Sequence, residues 1–463
     1  MRFKFITALY ACLCLLLSCS QDEISRIGVL EVPETMTFDN DITVGCEVLD
    51  RDYADYHSYK EYLSALGIRK IRLQAGWAKT EKTKGVYDFA WLDEIIDDAV
   101  ARGLEPWLQT SYGNPVYQGG GTPFLAGGWP ESEEALNAWH RWVEAMARRY
   151  KGKVHEWEIW NEADLTKTFR KNPIPFVDFT LETARTIRRV DPEAKIATFA
   201  WAGWRPELFS TCMSYIKDKG ALDLMDWITY HYYTYRPEDM YAKVDRMQDS
   251  LSRYSSRIVL RQGETGAPSK GHLGGALDHY DWTETSQAKW DLRRMLSDKG
   301  KAIPTTVFSI SDMNYGVRDN IVKKNVKGLL ETDGQNKVIR PKEAFHAVRN
   351  LVSLWNVMGS PVHCTATVGG EGDYSLYAFE SSEGDRSYAL WEDSSVPSNI
   401  LAMWPVRLEV QDYVFDKPVC VDIRTGQVYS VRCTRGVNGG CILEVPAYDS
   451  PVLVLEKQRL SYK

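Results

Sequence analysis

From residue 42 to about 355, eight short apolar runs alternate with stretches whose hydrophobic residues recur at helical spacing. No other feature constrains the fold as much. The predicted strands are Ile42–Cys46, Lys70–Leu73, Glu105–Gln109, Glu156–Trp160, Lys195–Phe199, Trp227–Tyr230, Ile258–Arg261 and Thr306–Ile310. Between them, Phe89, Leu92, Ile95, Ile96, Ala99 and Val100 make one apolar stripe, with Asp88 placed to cap it. Leu136, Trp139, Val143, Met146 and Tyr150 make another, and Ala344, Ala347, Val348, Leu351 and Leu354 make the last. Eight strand–helix units predict an α/β fold, a closed (β/α)8 TIM barrel. A doubly wound open sheet would carry a glycine-rich phosphate turn after its first strand. Gly45-Cys46-Glu47-Val48-Leu49-Asp50 has no such spacing. After Trp355 the pattern changes to strand-like runs only, such as Tyr374–Phe379, Tyr388–Trp391 and Pro451–Glu456. This predicts a small C-terminal β-sandwich over residues 356–463, after a barrel over 39–355.

The first residues read as an export signal. Met1-Arg2-Phe3-Lys4 is basic, and Phe5 to Leu17 is apolar but too short to span a bilayer comfortably. The run closes at Leu16-Leu17-Ser18-Cys19, which is similar to a bacterial lipobox. Residues 1–18 are thus expected to be removed as a lipoprotein signal peptide, and Cys19 to be lipidated, with a polar linker over 19–38. An ordinary secretory signal with an incidental Cys is the alternative. Acyl chains on Cys19 would anchor the protein in a bacterial membrane. Gln21-Asp22-Glu23 resembles the acidic tags that route some lipoproteins outward, so the expected location is the outer membrane, at its periplasmic or cell-surface face. The net charge of −7, with no basic stripe, argues against nucleic acid as a partner. Of the six cysteines beyond Cys19, none are spaced as C-x-x-C, which argues against a zinc ribbon or redox motif.

Chemistry in such a barrel sits at the carboxyl ends of the strands. The fourth predicted strand ends Trp160-Asn161-Glu162, and the seventh ends Arg261-Gln262-Gly263-Glu264. Two carboxylates would then face one mouth from nearly opposite sides. Glycosidic cleavage needs such a pair: one to protonate the leaving oxygen, the other to attack the anomeric carbon or activate water.

On these motifs the chain resembles the clan A glycoside hydrolases, and within the clan it looks most like family 39. Lys84-Gly85-Val86-Tyr87-Asp88-Phe89-Ala90-Trp91-Leu92-Asp93 is similar to a segment of those enzymes. The resemblance implies a retaining hydrolase of O-glycosidic bonds in a carbohydrate substrate, β-xylosidase- or β-galactosidase-like, with neither cofactor nor metal. It makes Glu162 the acid/base and Glu264 the nucleophile. Asn161 would bond the hydroxyl next to the anomeric carbon, Arg72 would hold Glu264 ionised, and His231 and Tyr232 would contact the nucleophile. Ala163 stands where many members have Pro, and Tyr315 lies in a segment that replaces a Trp common at the end of strand eight.

Aromatic side chains suit sugar faces. Trp77, Trp129, Trp201, Trp204, Tyr233, Tyr235, Trp282 and Tyr315 fall in strand-end loops, and part of this set is expected to stack on substrate. Gln109, Ser111, Tyr112 and Asn114 are candidates for hydroxyl contacts. Glu156 and Glu158 share strand parity with Glu162 and read as buried, paired and structural. His155-Glu156-Trp157-Glu158 lacks the two His of a zinc helix. Gly271-His272-Leu273-Gly274-Gly275 lies where many barrels bind phosphate, but only Lys270 accompanies it. Two other functions compete: an inactive glycan-binding lipoprotein on the same barrel, and an aldolase or phosphosugar isomerase. The latter needs a Schiff-base Lys or a phosphate site at a strand end, and the sequence offers neither. Sugar, linkage and oligomeric state stay open at this level.

Overall fold

The computed structural model describes residues 24–463 apart from 35, 37–38, 316–323 and 437–438. The expected signal peptide and Cys19 lie outside the described residues. Within the stretch expected to be linker, Arg26–Val29 is a strand (β1) that pairs antiparallel with Gln427–Ser430 of the C-terminal domain. Its backbone groups find a sheet edge to bond, so the segment is not a free tether.

Eight parallel strands follow: Thr43–Gly45 (β2), Lys70–Gln74 (β3), Glu105–Thr110 (β4), Glu156–Ile159 (β5), Lys195–Trp201 (β6), Trp227–Tyr230 (β7), Val259–Gln262 (β8) and Thr306–Val307 (β9). Their order is β8-β7-β6-β5-β4-β3-β2-β9, so neighbours in sequence are neighbours in space and β2 lies between β3 and β9. The seam between β8 and β9 has no regular ladder. The Gln262 N–H donates to Pro304 O at 3.1 Å, Thr306 N–H donates to Gln262 Oε1 at 2.6 Å, and Phe308 N–H donates to Thr265 O at 2.9 Å. A buried glutamine side chain stands in for a missing backbone rung, and the barrel is nearly closed.

The barrel's long helices are Tyr56–Leu66 (α1), Ala90–Ala101 (α2), Glu133–Tyr150 (α3), Ile174–Val190 (α4), Pro206–Asp218 (α5), Tyr241–Ser252 (α6), Glu284–Gly300 (α7) and Glu343–Met358 (α8). Each forms for local reasons. In α3 the Ser132 side chain accepts from Ala135 N, Glu133 and Glu134 occupy the first turn, and Arg148 and Arg149 occupy the last. Its Trp139, Trp142, Val143 and Met146 face the core. Phe89, not Asp88, stands at the cap position of α2; Asp88 Oδ1 accepts from Ala90 N at 3.1 Å.

Between β9 and α8 the chain makes an excursion of two small hairpins, Met313–Asn314 with Lys324–Asn325 and Leu330–Thr332 with Val338–Pro341. Strand eight is therefore shorter than the predicted Thr306–Ile310, because the backbone turns into this excursion at Phe308.

The C-terminal domain is a sandwich of a seven-stranded and a four-stranded antiparallel sheet. In the larger sheet, Tyr388, Leu390, Val452 and Val454 face the sandwich core, while Ala389, Trp391, Leu453 and Leu455 join the core of the barrel. Both faces are dry, which is why these strands read as continuous apolar runs. Helix α7 is buried along most of its length as a result, and its polar residues find partners there. Lys289 pairs with Asp449 at 2.5 Å and Arg293 with Glu238 at 2.6 Å. Arg432–Arg435 pairs antiparallel with Cys441–Ala447, setting Cys433 opposite Leu443, and all six described cysteines are free thiols.

Candidate active site

The carboxyl ends of the strands surround a cavity of about 540 Å³ whose walls include Asn161, Glu162, Tyr112, Tyr233 and Glu264. The chain leaves β5 through two left-handed residues, Trp160 (φ 65°) and Glu162 (φ 49°). Such φ values are uncommon outside glycine, cost about 1–3 kcal/mol each, and cluster at functional sites. Here they break strand alternation. Asn161 turns down to the barrel floor while Glu162, next to it, reaches across the cavity to His231.

One oxygen of Glu162, one of Glu264 and a ring nitrogen of His231 all lie within 4.8 Å of one another. His231 Nδ1 is 2.8 Å from Glu162 Oε1 and 3.7 Å from Glu264 Oε2. His231 therefore sits closer to the Glu expected as acid than to the expected nucleophile. Glu264 accepts from Arg72 Nη1 and from the Tyr233 hydroxyl, each at 2.8 Å.

Beneath them lies Arg72, fully buried on β3. Its Nη1 also donates to Glu47 Oε1 at 2.8 Å, its Nε to Glu158 Oε2 at 2.8 Å, and its Nη2 to Asn161 Oδ1 at 3.0 Å. Glu158 is fixed in turn by Gln109 Nε2 at 2.7 Å and Thr229 Oγ1 at 2.5 Å. Charge-assisted bonds of this kind are short and directional, so the floor orients what stands above it.

The two carboxyls are driven apart electrostatically. Burial, helped by the Glu264 charge, pushes the Glu162 pKa above the ordinary carboxylate value; the bond and charge of His231 oppose this and lose. Burial acts upward on Glu264 as well, but His231, Arg72 and the Tyr233 hydroxyl outweigh it, and its pKa falls below the ordinary value. Burial alone lowers the His231 pKa, yet the two neighbouring carboxylates raise it overall. One carboxyl that keeps its proton beside one that loses it readily is the arrangement acid and nucleophile require.

Of the residues singled out in the sequence, Arg72, Asn161, Glu162, His231, Glu264 and Tyr112 meet here, the Tyr112 hydroxyl accepting from Asn161 Nδ2 at 2.9 Å. Tyr315 lines the same cavity. Tyr232 does not contact Glu264. Strand β7 stops at Tyr230, and Tyr232 is left-handed (φ 52°), so its ring swings outward, where its hydroxyl accepts from Lys243 Nζ. Tyr233 takes the place expected of Tyr232. Trp77 and Trp201 are wall packing, not cavity surface: Trp77 stacks on Tyr117 with ring centres 5.5 Å apart, and Trp201 on Phe199 at 5.2 Å. Glu156 is held by Lys70 and Arg261, and Glu158 by Arg72, as the structural reading of both expects.

Two features went unread in the sequence. Phe124 and Leu125 line the cavity from the long loop after β4, an apolar pair in a glycine-rich stretch with no periodicity to reveal it. Glu47 contributes a third carboxyl, 2% exposed, with Oε2 bonded to nothing among the described residues. Burial and the Glu264 charge push its pKa up to about 7 against the pull of Arg72. Its place just past the first predicted strand was a usable signal.

Residues 42–259 match the family described as glycosyl hydrolases family 39. The β-xylosidase of Geobacillus stearothermophilus is 22% identical over 352 residues, which cover 70% of this chain. The chain spans 63% of the length of that curated relative. A family 39 glycoside hydrolase from Bacteroides cellulosilyticus WH2 superposes with a TM-score of 0.66 at 18% identity, over 93% of this chain and 83% of that one. A monomeric β-xylosidase from Caulobacter crescentus CB15 does so with a TM-score of 0.57 at 16% identity, over 93% of this chain and 99% of that one. By the match over residues 42–259 and by its fold, this chain is most like the glycosyl hydrolases of family 39.

Proposed function

We propose that this protein is a retaining glycoside hydrolase that cleaves O-glycosidic bonds by double displacement between Glu162 and Glu264. The observation that carries it is the approach of the two carboxyls, whose oxygens come within 4.8 Å. Retaining pairs stand about 5–5.5 Å apart, and inverting pairs about 6.5–9.5 Å, to admit a water.

In the first step a Glu264 oxygen bonds to the anomeric carbon while Glu162 gives its proton to the departing glycosidic oxygen. An ester to Glu264 forms, and its negative charge disappears. That charge was one cause holding the Glu162 pKa up. With it gone, the Glu162 pKa falls, so Glu162 stands ionised after giving up its proton and can take one from water, which attacks the anomeric carbon and frees Glu264. Arg72 and Tyr233 favour Glu264 both as ionised nucleophile and as carboxylate leaving group. Similarity to β-xylosidases makes β-xylosides the first substrates to try, with β-galactosides next. We further propose export as a lipoprotein anchored through Cys19 to the outer membrane; acyl labelling that is lost in Cys19→Ala tests this.

Glu264→Ala is expected to lower kcat by about four orders of magnitude on every glycoside. Glu162→Ala is expected to spare activated aryl glycosides and to cripple those with poor leaving groups, because only the latter need a proton. Equal loss on both would remove Glu162 from the acid role. Product anomers followed by NMR should show retention; inversion would overturn the double displacement.

A further inference from the structure

One wall of the cavity carries cations that cleavage itself does not use. The excursion after β9 returns at Lys327 and runs beside the strand's end. The Ser309 N–H donates to Lys327 O at 3.2 Å, and Gln287 Nε2 of α7 donates to the same carbonyl at 3.1 Å. With its backbone held from two sides, Lys327 sends its side chain to the cavity wall, 5% exposed. Its Nζ donates to Ala276 O at 2.8 Å and lies 5.7 Å from the ring centre of Tyr233, the tyrosine bonded to Glu264. Among the described residues no carboxylate pairs with Lys327. The charges of Glu264 and Asp278 act on it without forming an ion pair, and among the described residues its ammonium is bonded only to a backbone carbonyl, so this buried position favours a further negative charge within bonding reach. Burial lowers the Lys327 pKa to about 8, which still leaves it mainly charged at neutral pH.

The wall continues from there. Asn325 Nδ2 donates to the Tyr315 hydroxyl at 3.4 Å, and the Tyr315 ring packs 5.2 Å from that of Tyr53. The Arg51 guanidinium lies 5.7 Å from the Tyr53 ring centre. Arg51 donates to Asp50 and Gln74, and its Nη1 makes no hydrogen bond among the described residues. Lys327, Asn325, Tyr315 and Arg51 all line the cavity. The hydroxyls of a neutral sugar need donors and acceptors but no spare cation. Arg72 is already committed to Glu47, Glu158 and Glu264.

We propose that this wall is an oxyanion subsite: the glycan cleaved between Glu162 and Glu264 carries a carboxylate or a sulfate ester, on the ring in the cavity or the one beside it, and Lys327 pairs with that group. The proposal rests on the glycosidase reading and narrows its substrate to acidic glycans.

The test is kcat/KM of the full chain on matched aryl glycosides: β-xyloside, β-glucoside and β-galactoside against β-glucuronide, β-galacturonide and sulfated β-galactoside. An acidic member should exceed its neutral counterpart at least about tenfold, and Lys327→Met should lower the acidic one at least about tenfold more than the neutral one, mainly through KM. Preference for the uronide or for the sulfate identifies which oxyanion is read. Neutral glycosides turned over best, with Lys327→Met lowering neutral and acidic ones alike, would overturn the subsite and leave Lys327 as a counter-charge for Glu264. Wild-type protein that cleaves no glycoside while circular dichroism shows it folded would overturn the glycosidase reading itself, and the subsite with it.

Discussion

Arg72 carries one positive charge and meets three carboxylates, Glu47, Glu158 and Glu264. Arg72 alone does not neutralise three buried carboxylates, and Glu47, which has no other cation beside it among the causes acting on it, is the one pushed up to about 7. Its unfolded value is about 4.3. A carboxyl whose folded pKa is raised binds more protons folded than unfolded, so it penalises the fold progressively from about pH 4.3 upward, and fully above 7. Glu47→Gln removes the titration while keeping the shape. It should match wild type in melting temperature near pH 5 and exceed it at pH 8, by about 1–3 kcal/mol of stability. A variant less stable at both pH values would mean that the Arg72 bond needs the Glu47 charge. The pair above sets the sign of the activity profile. Glu264 is depressed, so kcat/KM should fall on the acid side only below the ordinary carboxylate range; Glu162 is raised, so the alkaline limb should lie above it. In Glu162→Gln that alkaline limb should vanish when kcat/KM is measured on activated aryl glycosides.

At the scale of elements, strand ends decide which side chains reach the cavity. Strand β7 stops at Tyr230, and the left-handed turn at Tyr232 brings both His231 and Tyr233 inward. Tyr233→Phe removes one hydrogen bond to an ionised carboxylate, a change of about 1.5–3 kcal/mol. It should lower kcat/KM by about 10–100-fold and raise the acid limb, because Glu264 loses a donor. Tyr232→Phe should leave that limb in place. Comparable pH profiles for the two variants would contradict the assignment. Tyr232 was expected from the family resemblance alone, and no local signal in the sequence told it from the neighbouring Tyr233; the left-handed backbone at Tyr232 is what gives Tyr233 the contact with Glu264. Glu162 and Glu264 were legible all the same: each closes a strand-length apolar run, and eight repeats fix which end of the barrel they share. Trp77 and Trp201 were misjudged for a similar reason. A large ring in a strand-end loop packs inward or lines a cavity equally well on local grounds, and only the neighbouring rings Tyr117 and Phe199 decide.

Over the whole molecule, the barrel's core extends onto one face of the sandwich's larger sheet, whose other face lines the sandwich's own core. Trp391 belongs to a strand of the C-terminal sheet, yet its ring packs with the barrel's hydrophobic residues and its Nε1 donates to Glu238 Oε1 at 2.8 Å. Strand β1 ties the other end of the chain into the same sheet. The two domains should therefore unfold in one calorimetric transition, and Trp391→Ala should destabilise both together by about 3–5 kcal/mol. Two separated transitions in the wild type would show the packing across that face to be energetically minor.

The sequence by itself determined the eightfold repeat, the sandwich after it, and the two strand ends that carry Glu162 and Glu264. These follow from hydrophobic periodicity, which is local and survives in one dimension. Only the tertiary structure decided that Glu47 joins the site, that Tyr233 displaces Tyr232, and that Lys327 stands on the cavity wall. Each depends on where the backbone turns once a strand has ended, and that is set by contacts between segments far apart in the chain.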